Sequence, residues 1–159
     1  FFFLGDKLKN CARSIERIAS SGHLIGCHAY SHETPLTLLR NEEVEWQFQQ
    51  FYDVMGEVLP GYRVRYFRAP FGANDDNVRR IAANWGMQSV RWGLPSDGIS
   101  PKTYQIVTNG VKNGTIVLSH MFRYFDYHHA AKITQALVDK GYQLVTVEEG
   151  RKESDIFQG

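Results

Sequence analysis

His28 and His32 stand four residues apart in Ile25-Gly-Cys-His-Ala-Tyr-Ser-His32, directly after a short apolar run. Two imidazoles on the first turn after a strand can converge on one divalent ion and leave its other coordination positions open to water and substrate. A structural zinc site wants four protein ligands, and no second His/Cys pair is placed nearby to supply them. The pair therefore reads as a catalytic metal site; two partly exposed loop histidines are an equally open reading.

Three further groups can do chemistry. In Arg68-Ala-Pro-Phe-Gly72 the proline and glycine set a tight turn. Backbone amides near Phe71 can face an anion or carbonyl oxygen there, and Arg68 can anchor a carboxylate. The plainer alternative is a turn with a surface arginine. Arg91-Trp-Gly-Leu-Pro-Ser-Asp-Gly98 offers Trp92 as a pocket wall and Asp97 as a partner for Arg68; a core tryptophan followed by a polar turn fits equally. In Leu118-Ser-His120 a histidine leaves a buried strand, where it can give or take a proton near neutral pH, and a solvated strand-end histidine is the alternative. His128 and His129 are expected on the surface at the start of the last helix, and Glu148 and Glu149 at a solvated chain end.

These groups need elements to position them, and the chain alternates strand and helix. Phe1 to Leu4 is a continuous apolar run, as in a strand buried on both faces. Leu8, Cys11, Ala12, Ile15, Ile18 and Ala19 form a helical stripe ended by Gly22. Leu24 to Cys27 reads as a strand. Asn41 can cap a helix with Glu42 and Glu43 in its first turn and Val44, Phe48, Phe51, Met55 and Leu59 inward, stopped by Pro60-Gly61. A strand follows around Tyr66 and Phe67. Asn74 or Asp75 starts a helix with Val78, Ile81, Ala82 and Trp85 inward, closed by Gly86. Gln88 to Trp92 is the next strand. Ser100-Pro101 signals a helix start with Tyr104, Val107 and Val111 buried. Thr115 to Ser119 is a strand, His128 to Lys140 a helix with Ile133 and Leu137 inward, and Gln143 to Val147 a last strand.

About six strands with five intervening helices point to an α/β fold with a parallel sheet and right-handed crossovers. An open doubly wound sheet and part of a β/α barrel both fit. There is no GxGxxG after the first strand and no Walker loop. His28, Arg68, Trp92 and His120 each fall at or just beyond the carboxyl end of a different strand, and in a barrel those ends share one pocket.

The 159 residues are 43% hydrophobic and 13% aromatic, which suits one compact domain, 1–150, with a polar tail at 151–159. The net charge of +1 comes from scattered residues of both signs, so nothing calls for nucleic acid, and no apolar run has the length of a membrane span. Cys11 and Cys27 make no disulfide framework and read as small buried side chains. The chain opens Phe1-Phe-Phe-Leu4 without an initiator Met, so its amino terminus is expected to lie upstream.

Taken together and in order, the groups resemble the NodB-like polysaccharide deacetylases, carbohydrate esterase family four, over nearly the whole chain. His28-Ala-Tyr-Ser-His32 resembles the family's His-[Ser/Thr]-x-x-His metal motif. Arg68-Ala-Pro-Phe-Gly72 is similar to its Arg-x-Pro-[Tyr/Phe]-Gly motif, Trp92 to Asp97 to its Asp- and Trp-containing fourth motif, and Leu118-Ser-His120 to its Leu-x-His motif. Ala29 replaces the usual Ser or Thr, Cys27 a common Asn, and Pro95 stands where the fourth motif often has its first Asp. The family's Thr-Phe-Asp-Asp motif, source of the third metal ligand and the base, has no substitute here; Asp6 is the nearest carboxylate, but Phe-Leu-Gly-Asp does not match.

The resemblance implies an irregular or partial (β/α) barrel of the NodB-like deacetylase fold that lacks its first β/α unit, supplied by an upstream segment or a partner chain. It implies metal-assisted removal of N-acetyl or O-acetyl groups from glycans such as chitin oligomers or peptidoglycan, with a divalent metal, zinc before cobalt or nickel, on His28 and His32. By the same resemblance Arg68 orients the base with Asp97, His120 is the general acid, and Phe71, Gly72, Trp92, Leu118 and Tyr30 contact substrate. Catalysis by this segment alone is not expected, and a glycan substrate places the protein outside the cytoplasm. A non-catalytic carbohydrate-binding relative and a small-amide hydrolase of the same superfamily are the alternatives.

Overall fold

The computed structural model describes residues 1–153. The chain divides into two compact units, one of residues Phe1–Arg91 and one from Trp92 onward. In the first, β1 (Phe2–Phe3), β2 (Gly26–Cys27), β3 (Tyr66–Phe67) and β4 (Gln88–Ser89) form one sheet in that order. Every pairing in it is parallel, with Phe2 opposite Gly26, Cys27 opposite Phe67, and Tyr66 opposite Gln88. The crossovers are the helices α1 (Ala12–Ser20), α2 (Asn41–Val58) and α3 (Asp76–Asn84), as parallel neighbours require.

The core of this unit is the one that the periodicity predicts. Val44, Phe48, Phe51 and Met55 line the buried side of α2, Val78, Ile81 and Ala82 that of α3, and Ile15 that of α1. They enclose Phe3, Cys27 and Phe67 of the sheet. Phe48 meets Phe67 edge to face, with ring centres 5.0 Å apart. Asp75 caps α3 by accepting from the Val78 N–H at 2.8 Å. Gly86 (φ 73) ends it with paired backbone bonds, Met87 N–H to Ala82 and Gly86 N–H to Ala83, each 2.9 Å.

Two starts differ from expectation. Asn41 is the first residue of α2 rather than its cap; Arg40 precedes the helix and its N–H is taken by Glu43 at 2.8 Å. The stripe from Leu8 becomes α-helical only at Ala12, after two short 3-10 turns (Gly5–Lys7 and Lys9–Cys11). The N–H groups of Gly5 and Asp6 are already committed to the carbonyls of Ala29 and Tyr30, and this ties the chain to the loop after β2 before a helix can form. Cys27 is fully buried, Cys11 only half-buried.

The second unit contains β5 (Leu94–Pro95) parallel to β6 (Val117–Leu118), with α4 (Thr103–Gly110) between them, followed by α5 (Tyr124–Asp139) and α6 (Val147–Glu153). The strand expected over Gln88 to Trp92 is therefore replaced by β4 and a separate β5. Ser100-Pro101 does not start α4, which begins at Thr103; Ser100 Oγ instead donates to Asp97 at 2.6 Å. The last α/β pair is also redrawn. α5 begins at Tyr124, one turn before His128, so His128 and His129 lie inside the helix: His128 is exposed against Tyr124 and Tyr127, and His129 is half-buried against Phe125. No strand forms over Gln143 to Val147, because Thr146 and Glu149 cap α6 reciprocally, with Thr146 N–H and Oγ1 donating to Glu149 at 2.8 Å and Glu149 N–H returning to Thr146 Oγ1 at 3.2 Å. Glu148 and Glu149 thus occupy a helix first turn. Of the expected loose tail, 151–153 belong to α6 and the rest lies outside the described residues. Among the described residues no helix is long and apolar enough to cross a membrane.

Candidate functional site

The first unit brings together His28, His32, Arg68, Phe71 and Gly72, while Tyr30, on the same loop, packs its ring against Trp46 at 5.5 Å between centres. β2 ends at Cys27, and the backbone turns at once through Ala29, whose φ of 64 is left-handed. His28 Nδ1 lies 2.6 Å from the Arg68 carbonyl. A carbonyl can only accept, so Nδ1 carries a proton, and in the neutral ring Nε2 keeps the lone pair. This is the orientation in which a metal-binding imidazole is usually held from behind. The ring centres of His28 and His32 are 5.2 Å apart. With metal–nitrogen bonds of about 2.0–2.1 Å, a shared ion sits roughly 3.2 Å from each ring centre, so this separation corresponds to about 110° at the ion, close to tetrahedral. The separation of the rings is the one that two imidazoles facing a tetrahedral ion would have. Among the described residues no group of three or more His, Cys, Asp and Glu is placed to hold a metal.

Arg68 follows β3 and is 8% exposed, which removes the reading of a surface arginine. Its guanidinium lies 4.4 Å above the Phe2 ring, and it donates to the carbonyls of Val90 and Arg91, both at 3.3 Å. Burial pulls its pKa down to about 10, still charged at neutral pH. The turn that follows has Phe71 at φ 60, a left-handed non-glycine residue. Gly72 N–H closes on Ala69 and Ala73 N–H on Pro70, at 3.0 and 3.1 Å. Neither closure uses the Phe71 N–H. The Phe71 ring is 55% exposed and packs 4.1 Å, centre to centre, from exposed His32.

The second unit holds the other expected residues. Trp92 is half-buried. Asp97 is left-handed (φ 73), and Arg123 donates to its carbonyl at 2.6 Å. Leu118 ends β6, its carbonyl accepting from Ser96 at 2.9 Å. His120 follows, half-buried, with its N–H donating to Asp126 Oδ2 at 2.7 Å and its Nδ1 3.9 Å from the same oxygen. Phe122 packs edge-on against the ring at 5.4 Å.

Two residues that matter here went unnoticed in the sequence. Asp126, 4% exposed, is the carboxylate beside His120. Gln47 of α2 grips the loop between the two histidines through the N–H groups of Tyr30 and Ser31. Asp126 could have been suspected as the one acid in the run Phe122-Arg-Tyr-Phe-Asp-Tyr127; Gln47 carries no local signal.

The model described as polysaccharide deacetylase matches residues 1–90. The peptidoglycan-N-acetylmuramic acid deacetylase PdaC of Bacillus subtilis is 28% identical, over 98% of this chain and 34% of its own length. Chitin deacetylase 1 of Saccharomyces cerevisiae is 40% identical over 59% of this chain and 31% of its own. The chain thus spans about a third of these curated relatives. The solved structure of PdaC superposes with a TM-score of 0.85 over 96% of this chain and 77% of that one, at 28% identity. A Bacillus anthracis pseudoenzyme of carbohydrate esterase family four, in a mutant form with restored activity, matches with a TM-score of 0.83 at 25% identity, over 94% of this chain and 55% of that one. With parallel pairing throughout, these matches give the chain the α/β fold of a partial NodB-like barrel.

Proposed function

Because this chain belongs to the polysaccharide deacetylase family, we propose that it is the histidine-bearing part of a metal-dependent hydrolase that removes N-acetyl or O-acetyl groups from a glycan such as chitin oligomers or peptidoglycan. The observation that carries this reading is the pair of imidazoles 5.2 Å apart, with His28 Nδ1 tied to the Arg68 carbonyl. His28 and His32 are the proposed ligands. A divalent ion held there, zinc before cobalt or nickel, would supply Lewis-acid activation and would lower the pKa of water to about 7. Among the described residues no further His, Cys, Asp or Glu joins the pair to make a three-ligand group. The Phe71 N–H, on the strained turn with Gly72, is assigned to the developing oxyanion. His120 gives a proton to the departing amine, or to the departing alkoxide of an O-acetyl group, with Asp126 stabilising the charged imidazole. Tyr30, Trp92 and Leu118 are assigned to the substrate wall, and Arg68 with Asp97 to orienting the base.

The test is acetate release from N-acetylated chito-oligosaccharides and from peptidoglycan by the protein carrying this chain, with Zn²⁺ and then with a chelator. Release that stops on chelation and in His32→Ala supports the reading. His120→Ala is expected to lower kcat by roughly 10²–10⁴-fold. Hydrolysis at an unchanged rate in His32→Ala would refute it. A second reading, a glycan-binding relative without catalysis, is supported by the absence of a three-ligand group among the described residues and by the similarity to a pseudoenzyme. Oligosaccharide binding without acetate release selects that second reading.

A further inference from the structure

The loop that carries both imidazoles is held from two sides. Its carbonyls are taken from one side: Gly5 N–H donates to Ala29 at 3.0 Å and Asp6 N–H to Tyr30 at 2.9 Å. The approach there is close, since a Cβ on Gly5 would come within 2.6 Å of the Tyr30 ring and 3.1 Å of its Cα. From the other side comes one side chain of α2. Gln47 Oε1 accepts from the N–H groups of both Tyr30 and Ser31, each at 3.0 Å, and its Nε2 donates to Ser31 Oγ at 3.4 Å. Tyr30 and Ser31 are two of the three residues that separate His28 from His32. The third, Ala29, is left-handed, a conformation that persists only where its surroundings fix it.

We propose that Gln47 is a positioning residue that sets the separation of the two imidazoles and, through it, the site's affinity for a divalent ion. This rests on the metal reading above. A single oxygen accepting from two successive amides restrains the loop at both, and a side chain without an acceptor releases both amides to water. His32, exposed at the loop's far end, then loses its fixed relation to His28, which the Arg68 carbonyl holds independently. Groups behind metal ligands matter at this level: their loss commonly weakens binding 10–100-fold.

The experiment compares wild type, Gln47→Met, Gln47→Glu and His32→Ala for Zn²⁺ affinity by calorimetry, amide exchange at Tyr30 and Ser31, and thermal midpoint. Gln47→Met matches the volume and removes the acceptor; Gln47→Glu restores it. Expected are Zn²⁺ binding at least tenfold weaker and faster exchange at both amides in Gln47→Met. Gln47→Glu should show near wild-type values of both, with the thermal midpoint failing to rank the variants in the same order. Zn²⁺ uptake that needs His32 but is unchanged in Gln47→Met overturns this inference alone. Uptake indifferent to His32→Ala overturns the metal reading and this inference with it.

Discussion

Gly98→Ala puts a methyl group where the second unit has no room for one. A Cβ there would lie 2.3 Å from Asp126 Oδ2, 2.7 Å from its Cγ and 2.8 Å from Arg123 Cδ. Arg123 can swing away, but Asp126 is buried and its Oδ2 holds the His120 N–H at 2.7 Å. Gly98 also has φ 69, where an L side chain costs roughly 1 kcal/mol. Displacing the carboxylate removes a hydrogen bond to a charged acceptor, about 2–3 kcal/mol. The sum is roughly 3–4 kcal/mol, or a fall in Tm of about 6–16 °C. Denaturant unfolding gives the first number, and amide exchange at His120 reports whether its partner has moved. A double-mutant cycle with Asp126→Ala isolates the cause. In the Asp126→Ala background Gly98→Ala should cost only about 1 kcal/mol, a coupling of about 2–3 kcal/mol. If Gly98→Ala costs the same with and without the carboxylate, the clash is not transmitted through Asp126 and the argument fails.

Two further expectations concern titration and reactivity. Burial first, and the neighbouring Cys27 second, raise the Tyr52 phenol from its usual value near 10 to about 12, while its hydroxyl donates to the Val64 carbonyl at 3.1 Å. The fold favours the neutral phenol, so its contribution is complete below pH 10 and declines as the pH rises from about 10 to 12. Tyr52→Phe should flatten the alkaline limb of a stability-against-pH curve, and an unchanged limb would contradict this. Complete burial pushes the Cys27 thiol well above its ordinary range, so iodoacetamide at pH 8 should label half-buried Cys11 in the native protein and Cys27 only after unfolding. Equal labelling rates in the native state would show that the strand is not sealed.

What the sequence determined by itself was whatever rests on neighbours three or four residues apart. The stripe of α2, the Asp75 cap and the helix end at Gly86 are interactions within a turn or two, so their letters carry them. The same locality places His28 and His32 on one loop and frames the Arg68 to Gly72 turn. Thr146-Val-Glu-Glu149 was an equally local capping signal, and giving it precedence over the apolar run beside it would have recovered α6. Ser100-Pro101 misled for the converse reason, since its hydroxyl had a better acceptor in Asp97. Tertiary structure alone decided what spans the chain. The bond that orients His28 joins residues 40 apart, and the one by which Gln47 grips Tyr30 joins residues 17 apart. Arg68 reads as a surface residue until Phe2 of β1 and the carbonyls of Val90 and Arg91, just past β4, close around it. A side chain's orientation is set by whichever partner arrives in space, and spacing along the chain does not encode that arrival.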